Sequence, residues 1–380
     1  MDNPRIVRIE QGTLEGTRPR KAGCNARLGE HGANVRAPII RITTEDGSTG
    51  FGLARATPEQ AHKLLAARLD DLFPAKQWPD ATWKAVEYPL WDLAGRRAGR
   101  PVYALAAEMA GCLPILSPVD VPCYDTSLYI DDLHLGSNEA AAALIADEAR
   151  EGYERGQRAF KIKIGRGARH MALEEGTQRD IAVMRAVRAA VGPGSPIMVD
   201  ANNGYNLNLA KRVLAETADC NLYWLEEAFH EDAVLYRELR EWMDKQGLKV
   251  LIADGEGDAS PRLLDWARER VVDVVQYDIV SWGFTQLLSL GKQLDTWGCR
   301  YAPHHYGTYY GNYASCHLAA ASRSFTFVEW DEATVPGLAA PGYAIREGKV
   351  TVPDAPGFGL LLDEAVFAQA VKNGGFRVCL

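Results

Sequence analysis

The sequence has little of what marks a secreted, zinc-binding or nucleic-acid-binding chain. Its seven cysteines, at 24, 112, 123, 220, 299, 316 and 379, are odd in number and never spaced as CxxC. That argues against both a disulfide framework and a thiolate zinc site. No uninterrupted apolar run is long enough to cross a bilayer, and the start, Met1-Asp2-Asn3-Pro4-Arg5, lacks the basic and apolar character of a secretory signal. A cytoplasmic location is therefore expected. Positive charge is not in excess: a formal net charge of −8 provides no basic field for nucleic acid or an anionic membrane surface. A small acidic substrate is still compatible, provided that the site itself is positive. Low-complexity linkers are missing as well. What remains is ordinary for a globular protein, 47% apolar and 24% charged residues in a chain of 380, long enough for more than one domain.

The stretch around which the rest is organised is Phe160-Lys161-Ile162-Lys163-Ile164-Gly165. As a strand, it turns Lys161 and Lys163 to one face and Phe160, Ile162 and Ile164 to the other. Similar apolar runs follow, each ending in a polar residue: Asp200, Glu226, the pair Asp254 and Glu256, Asp278, His304 and Glu329. Counted from Lys163 through Glu256, these residues recur every 22 to 37 positions, about the length of a strand with its crossover helix, roughly 30 residues. In a barrel of such units the C-terminal strand ends converge on one mouth, where catalytic residues gather.

In chain order, residues 5–15 and 36–55 read as sheet strands, the latter pair turning at Glu45-Asp46-Gly47. Between them, 16–35 reads as a Gly- and Arg-rich loop carrying Arg18, Arg20, Lys21 and Arg27, either a solvated surface loop or a lid that helps neutralise an anionic ligand. Thr57-Pro58-Glu59-Gln60 is a helix start, and a second helix over 80–98 ends at Gly99. From about 121, helices expected near 138–155, 171–190, 208–218, 232–246, 261–270, 284–297 and 312–322 alternate with the apolar runs. Seven helices between eight strands close a barrel. The fold expected is α/β, a barrel over 121–345 preceded by an α+β domain over 1–120. The segment 346–380 is expected to pack back on that first domain.

Asp200, Glu226 and one of Asp254 or Glu256, brought to one mouth, make an all-oxygen site that suits Mg²⁺ or Mn²⁺ better than zinc. Alternation along the strand does not separate Asp254 from Glu256, which have the same parity. Asp278 and His304 are one unit apart and can form a dyad in which the carboxylate orients the imidazole. A cation next to Lys163, with Lys161 beside it, is expected to depress the lysine pKa toward that of a useful base. Two bases flanking a metal suit proton removal next to a carboxylate. His305 points the other way if the strand persists and reads as structural, as do His170, His230 and His317.

Several of these stretches carry family motifs. Trp91-Asp92-Leu93-Ala94-Gly95-Arg96 through Arg100-Pro101-Val102-Tyr103, Lys161-Ile162-Lys163, Val199-Asp200-Ala201-Asn202, Trp224-Leu225-Glu226-Glu227, Ala253-Asp254-Gly255-Glu256, Val275-Gln276-Tyr277-Asp278 and Pro303-His304 resemble the motif series of the enolase superfamily, in its mandelate racemase-like subgroup. The resemblance spans nearly the whole chain and implies a (β/α)7β TIM-like barrel with an N-terminal α+β capping domain. It implies Mg²⁺ ligands at Asp200, Glu226 and Glu256, acid–base groups at Lys163 and His304, and Asp278 paired with His304. Glu329 is implied to hydrogen-bond a substrate carboxylate oxygen and Asn202 to line the pocket, and homo-oligomers are common in the family. Ala228, Tyr277, Trp282 and Leu105-Ala106-Ala107 depart from its pattern, beside the chemical positions. Residues 273–291 lack the lysine that the muconate cycloisomerase and dipeptide epimerase branch carries, which disfavours that branch.

The function expected is dehydration of a sugar acid, an aldonate or aldarate, to a 2-keto-3-deoxy acid. The alternatives are racemisation or epimerisation of a 2-hydroxy acid and, from another class, a binding protein on the same scaffold. The basic first-domain loop, with Arg18 and Arg20, and Lys161 on the strand suit a polyhydroxylated anion. The partner expected is therefore a small acid sugar.

Overall fold

The computed structural model describes residues 3–73, 79, 81–111, 119–257 and 259–380. Met1, Asp2, Asp80 at the start of the expected second helix, and Cys112 lie outside the described residues. Strands β1 (Ile6–Ala22), β2 (Gly32–Thr44) and β3 (Thr49–Leu53) form the antiparallel sheet of the cap, and Phe376–Cys379 from the C-terminus adds to the outer edge of β1. The expected loop over 16–35 is corrected here. β1 and β2 continue as paired strands through Thr17 and Asn34, so only the tip between Ala22 and Gly32 is a turn. Polarity misled the sequence reading because Arg18 and Arg20 are satisfied by Asp331, Ser127 and Glu148 of the barrel, not by water. The helix expected over 80–98 is a 3₁₀ segment, Ala81–Val86, running into an α-helix, Glu87–Ala98, which ends with Gly99 in the left-handed conformation. A helix that the sequence reading did not anticipate, Val102–Ala110, follows.

The barrel strands are β4 (Val119–Leu128), β5 (Phe160–Lys163), β6 (Ile197–Asp200), β7 (Trp224–Glu226), β8 (Leu251–Asp254), β9 (Val274–Val275), β10 (Arg300–Tyr301) and β11 (Val328–Trp330). They pair in parallel in that order from β4 to β10, and β11 pairs with β4. A parallel bridge from Tyr301 to Phe325, with Tyr301 N donating to Ser324 O at 3.0 Å and Thr326 N to Tyr301 O at 2.9 Å, closes the ring. All four residues of β5 are buried, which two lysines tolerate only if the interior supplies counter-charge. It does, because parallel register sets Lys163 opposite Asp200 and Asp200 opposite Glu226. Met198, Trp224, Ala253, Val274 and Ala302 pack with Tyr124 as an apolar plug one layer below. Alternation then carries the next inward residues to the mouth.

The cap is fastened over that mouth. Arg18 on β1 makes a bidentate pair with Asp331, Nε to Oδ1 at 3.0 Å and Nη2 to Oδ2 at 2.7 Å, both side chains buried. At the hairpin tip Cys24 pairs with Ile130, and Asn25 O meets the His170 ring at 2.7 Å. Ala26 sits where Gly165 and Gly204 approach it so closely that a Cβ on either would come within 2.7 Å of its methyl. No helix among the described residues is long and apolar enough to cross a membrane.

Candidate active site

Asp200, Glu226 and Glu256 each offer an oxygen to one cluster in which those atoms lie within 4.8 Å of one another. Asp254 is not part of it. Ala253 faces the barrel interior, so Asp254 at the end of β8 faces the helix layer, where its Oδ2 accepts the Tyr236 hydroxyl and its Oδ1 the Gly255 amide. Strict alternation would turn Glu256 outward too. Gly255, with φ +125°, breaks the alternation and brings Glu256 back to the mouth.

The cluster is arranged for a cation. Glu226 Oε2 accepts the Trp224 indole at 3.0 Å and the Gln276 amide at 2.8 Å, while Oε1 takes Lys161 Nζ at 2.8 Å. Burial, with Asp200 and Glu256 nearby, still pushes the Glu226 carboxyl up to about 8 despite Lys161 and Lys163. Glu256 Oε2 is buried without a hydrogen-bond partner among the described residues. Carboxylates crowded in this way need more positive charge than two lysines supply, and an all-oxygen donor set fits Mg²⁺.

At one end of the carboxylate arc Lys163 Nζ donates to Asp200 Oδ2 and lies 5.4 Å from the centre of the Tyr129 ring. Burial works most strongly against its charge, but Asp200, Glu256 and Glu226 together outweigh burial and raise its pKa. The depression expected from sequence therefore requires a bound cation to offset the carboxylate field. At the other end His304 Nδ1 donates to Asp278 Oδ2 at 3.0 Å, with Nε2 3.6 Å from Glu256 Oε1 and 3.9 Å from Glu329 Oε2. Asp278 divides its oxygens: Oδ1 caps the short helix Ile279–Trp282 through Val280 N at 2.9 Å and Ser281 N at 2.6 Å, leaving Oδ2 for the histidine. Burial lowers the His304 pKa, yet Glu256, Glu329 and Asp278 together hold it at about 10.

Lys161 joins the arc from below, 3.0 Å from Glu329 Oε1 and 3.7 Å from Asp200 Oδ2. Glu329 is saturated with donors: Thr126 Oγ1 at 2.7 Å on Oε1, and the amides of His305 at 2.7 Å and Tyr306 at 3.2 Å on Oε2. Against the cost of burial, Lys161, His304 and His305 hold it well below the usual carboxylate range. An ionised carboxylate only accepts, so in this arrangement Glu329 orients Lys161 and the chain after His304. To donate to a substrate oxygen, as the resemblance implies, it must first take a proton. His305, buried on the other side, meets the Glu329 carbonyl.

Asn202 is buried, with φ +42°. Its side-chain amide nitrogen donates to Glu227 Oε2 at 3.0 Å, and its carbonyl oxygen is buried without a partner among the described residues. Of the cap arginines, Arg18 lines the cavity over the mouth and lies 4.3 Å from the centre of the Tyr306 ring, but its charge is matched by Asp331. Arg20 is engaged elsewhere, by Ser127 O at 3.1 Å, Ser127 Oγ at 2.9 Å and Glu148 at 3.3 Å, and does not line that cavity. Both were expected to add positive charge near the substrate; Arg18 is paired with Asp331 and Arg20 with Glu148.

Sequence reasoning missed two residues here. His31, at the hairpin tip, packs its ring 4.9 Å from Tyr129 and 6.1 Å from Tyr306, with Nδ1 on Gly23 O at 2.9 Å. No strand period reaches the tip. Glu227, beside Glu226, is buried at φ +42°, and burial with Asp200 and Glu256 lifts it to about 7. Its place directly after a ligand candidate was the available signal. The departures at Tyr277 and Trp282 prove to be partners: their rings stack 3.8 Å apart at 12°, bracketing Asp278.

Three comparisons bear on this geometry. The family model described as enolase C-terminal domain-like matches residues 144–366. A galacturonate dehydratase from Geobacillus sp., solved with D-galacturonate and 5-keto-4-deoxy-D-galacturonate, is 49% identical with a TM-score of 0.94, covering 99% of each chain. A mutant of galacturonate dehydratase from Geobacillus sp. in complex with Mg gives 49% and 0.96 over 99% of this chain and 97% of that one. An arabinonate dehydratase from Saccharolobus solfataricus is 27% identical over 90% of this chain and 92% of its own.

Proposed function

This chain belongs to the enolase C-terminal domain-like family, and from that premise we propose that it is a Mg²⁺-dependent sugar acid dehydratase whose substrate is a hexuronate of the D-galacturonate type. One observation carries the reading: Lys163 and the His304–Asp278 dyad flank an arc of three carboxylates that share one cluster. Mg²⁺ held by Asp200, Glu226 and Glu256 supplies the positive charge that makes the proton next to a carboxylate removable. Lys163 takes that proton. His304, with Nδ1 committed to Asp278, presents Nε2–H to the β-hydroxyl, which leaves as water. The enol left behind tautomerises to the keto acid. Lys161 keeps Glu226 and Glu329 in place, and Asn202 offers its unpartnered carbonyl oxygen to a substrate hydroxyl.

The uronate is favoured over an aldonate by the 49% neighbour, whose two ligands are related by loss of water. Named from the aldehyde end, its product is a 5-keto-4-deoxy acid. Counted from the carboxylate, it has the same 2-keto-3-deoxy pattern that sequence reasoning expects. The test is to incubate the protein and Mg²⁺ separately with D-galacturonate, galactonate and arabinonate and to quantify keto acid. Fastest turnover on the uronate supports the reading. Turnover of the aldonates alone moves the substrate to that class, and no keto acid from any sugar acid overturns dehydration.

A further inference from the structure

The cavity between cap and barrel has a volume of about 900 Å³. That is near the top of the roughly 300–1,000 Å³ range of small-molecule sites, and a single hexuronate leaves much of it to water. The barrel's share of the wall comes from Val280, two residues after Asp278, and from Tyr306, Gly307 and Thr308, shortly after His304. No residue that follows Lys163 on β5 contributes. None of Lys163, Asp200, Glu226, Glu256, Asp278 or His304 lines this cavity; it meets the site through His31 and Tyr306, whose rings pack against Tyr129 beside Lys163, and a hydroxyl departing as water needs little of that space.

The cap's share of the wall has the character of a sugar-acid subsite. Pro38, Leu53 and Val280 give the lining apolar surface, suited to the C–H face of a pyranose. At the rim stand Arg55 and Lys84. Arg55 has no ion-pair partner among the described residues, unlike Arg18, which is neutralised by Asp331. In a protein of net charge −8, an unmatched cation at the rim of a cavity is a feature to explain.

We propose that this protein also cleaves a (1→4)-linked diuronide, eliminating a sugar where the hydroxyl would otherwise leave. The inference rests on the uronate dehydratase reading. In such a dimer the reducing-end unit can open its ring, which frees its C5 hydroxyl, and its C4 oxygen carries the second uronosyl unit. Lys163 takes the C5 proton, the C4–O bond breaks as the C4–C5 double bond forms, and His304 protonates the departing oxygen. The products are one free uronate and one 5-keto-4-deoxy uronate, formed after tautomerisation. Neither water nor an oxidant is consumed. The departing unit occupies the spare volume beside Tyr306, with its carboxylate at Arg55 and Lys84.

The experiment offers the Mg²⁺-loaded enzyme D-galacturonate in one arm and (1→4)-linked digalacturonate in the other, with both products separated by chromatography. The expected result is dehydration of the monomer and release of galacturonate and keto-deoxy acid in equal amounts from the dimer. Cleavage should be lost in Lys163→Ala. Arg55→Ala with Lys84→Ala should raise KM for the dimer about three- to tenfold, as for two modest charge contacts, with monomer kinetics unchanged. A dimer left intact by enzyme that dehydrates the monomer overturns the inference alone. If the monomer is also untouched, the uronate reading fails and the inference with it.

Discussion

His304 Nδ1 and Asp278 Oδ2 lie 3.0 Å apart, joined across two consecutive barrel units, and the same carboxylate caps a helix through its other oxygen. The histidine is therefore fixed by secondary structure as well as by charge. Its pKa, held at about 10, lies above the ordinary histidine value. The sign follows from linkage: the stabilisation from its charged form is fully present below the unfolded value near 6.5 and is lost as pH rises through the folded one. In the metal-free protein, NMR titration of the labelled imidazole should find His304 charged at neutral pH. Asp278→Asn should bring the midpoint down by at least about one unit. An unchanged midpoint would show that Asp278 does not support the charge.

The metal set makes a paired prediction. Glu256→Gln should weaken Mg²⁺ binding, measured by calorimetry, by more than the roughly 10–100-fold that loss of an outer-shell group costs. Asp254→Asn should leave Mg²⁺ affinity near wild type, because Asp254 faces Tyr236. The reverse ranking would mean that the wrong carboxylate has been assigned.

Mg²⁺ should also stabilise the fold, since it binds a site that exists only in the native state and relieves crowded carboxylates. At 100 times Kd the gain is about 2.7 kcal/mol, visible as a rise in Tm that EDTA reverses. An unshifted Tm together with undiminished turnover after EDTA would remove the metal from the mechanism.

Arg18 should behave as a fastener rather than as a mobile charge. Arg18→Met leaves Asp331 buried and unpaired, a change that costs about 3–5 kcal/mol in comparable pairs, so thermal unfolding should move sharply down. A partial recovery in Arg18→Met with Asp331→Leu would assign the loss to the orphaned carboxylate. A Tm within a degree of wild type in the single variant would return Arg18 to the role of a free surface charge.

What the sequence made legible, and what it did not, divides along physical lines. Lys163, Asp200, Glu226, Asp278, His304 and Glu329 could be read because each ends or continues an apolar run, and parallel strands bring such ends to one mouth. Asp254 and Glu256 could not be separated by periodicity, because the deciding element is the φ of Gly255. Arg18 and Arg20 looked like a solvated loop because the carboxylates that match them, Asp331 and Glu148, are more than 120 residues away in sequence. His31 carried no signal, since a hairpin tip has no period and its neighbours Tyr129 and Tyr306 come from two other loops.

The most direct measurement follows the hydrogen next to the carboxylate in D₂O, for wild type, Lys163→Ala and His304→Asn, with D-galacturonate and Mg²⁺. Wild type should give keto-deoxy acid. His304→Asn should still exchange that hydrogen for deuterium in the recovered substrate while forming little or no keto acid, and Lys163→Ala should do neither. Wild type that returns only deuterated, stereochemically scrambled starting acid would contradict dehydration and make the protein a racemase.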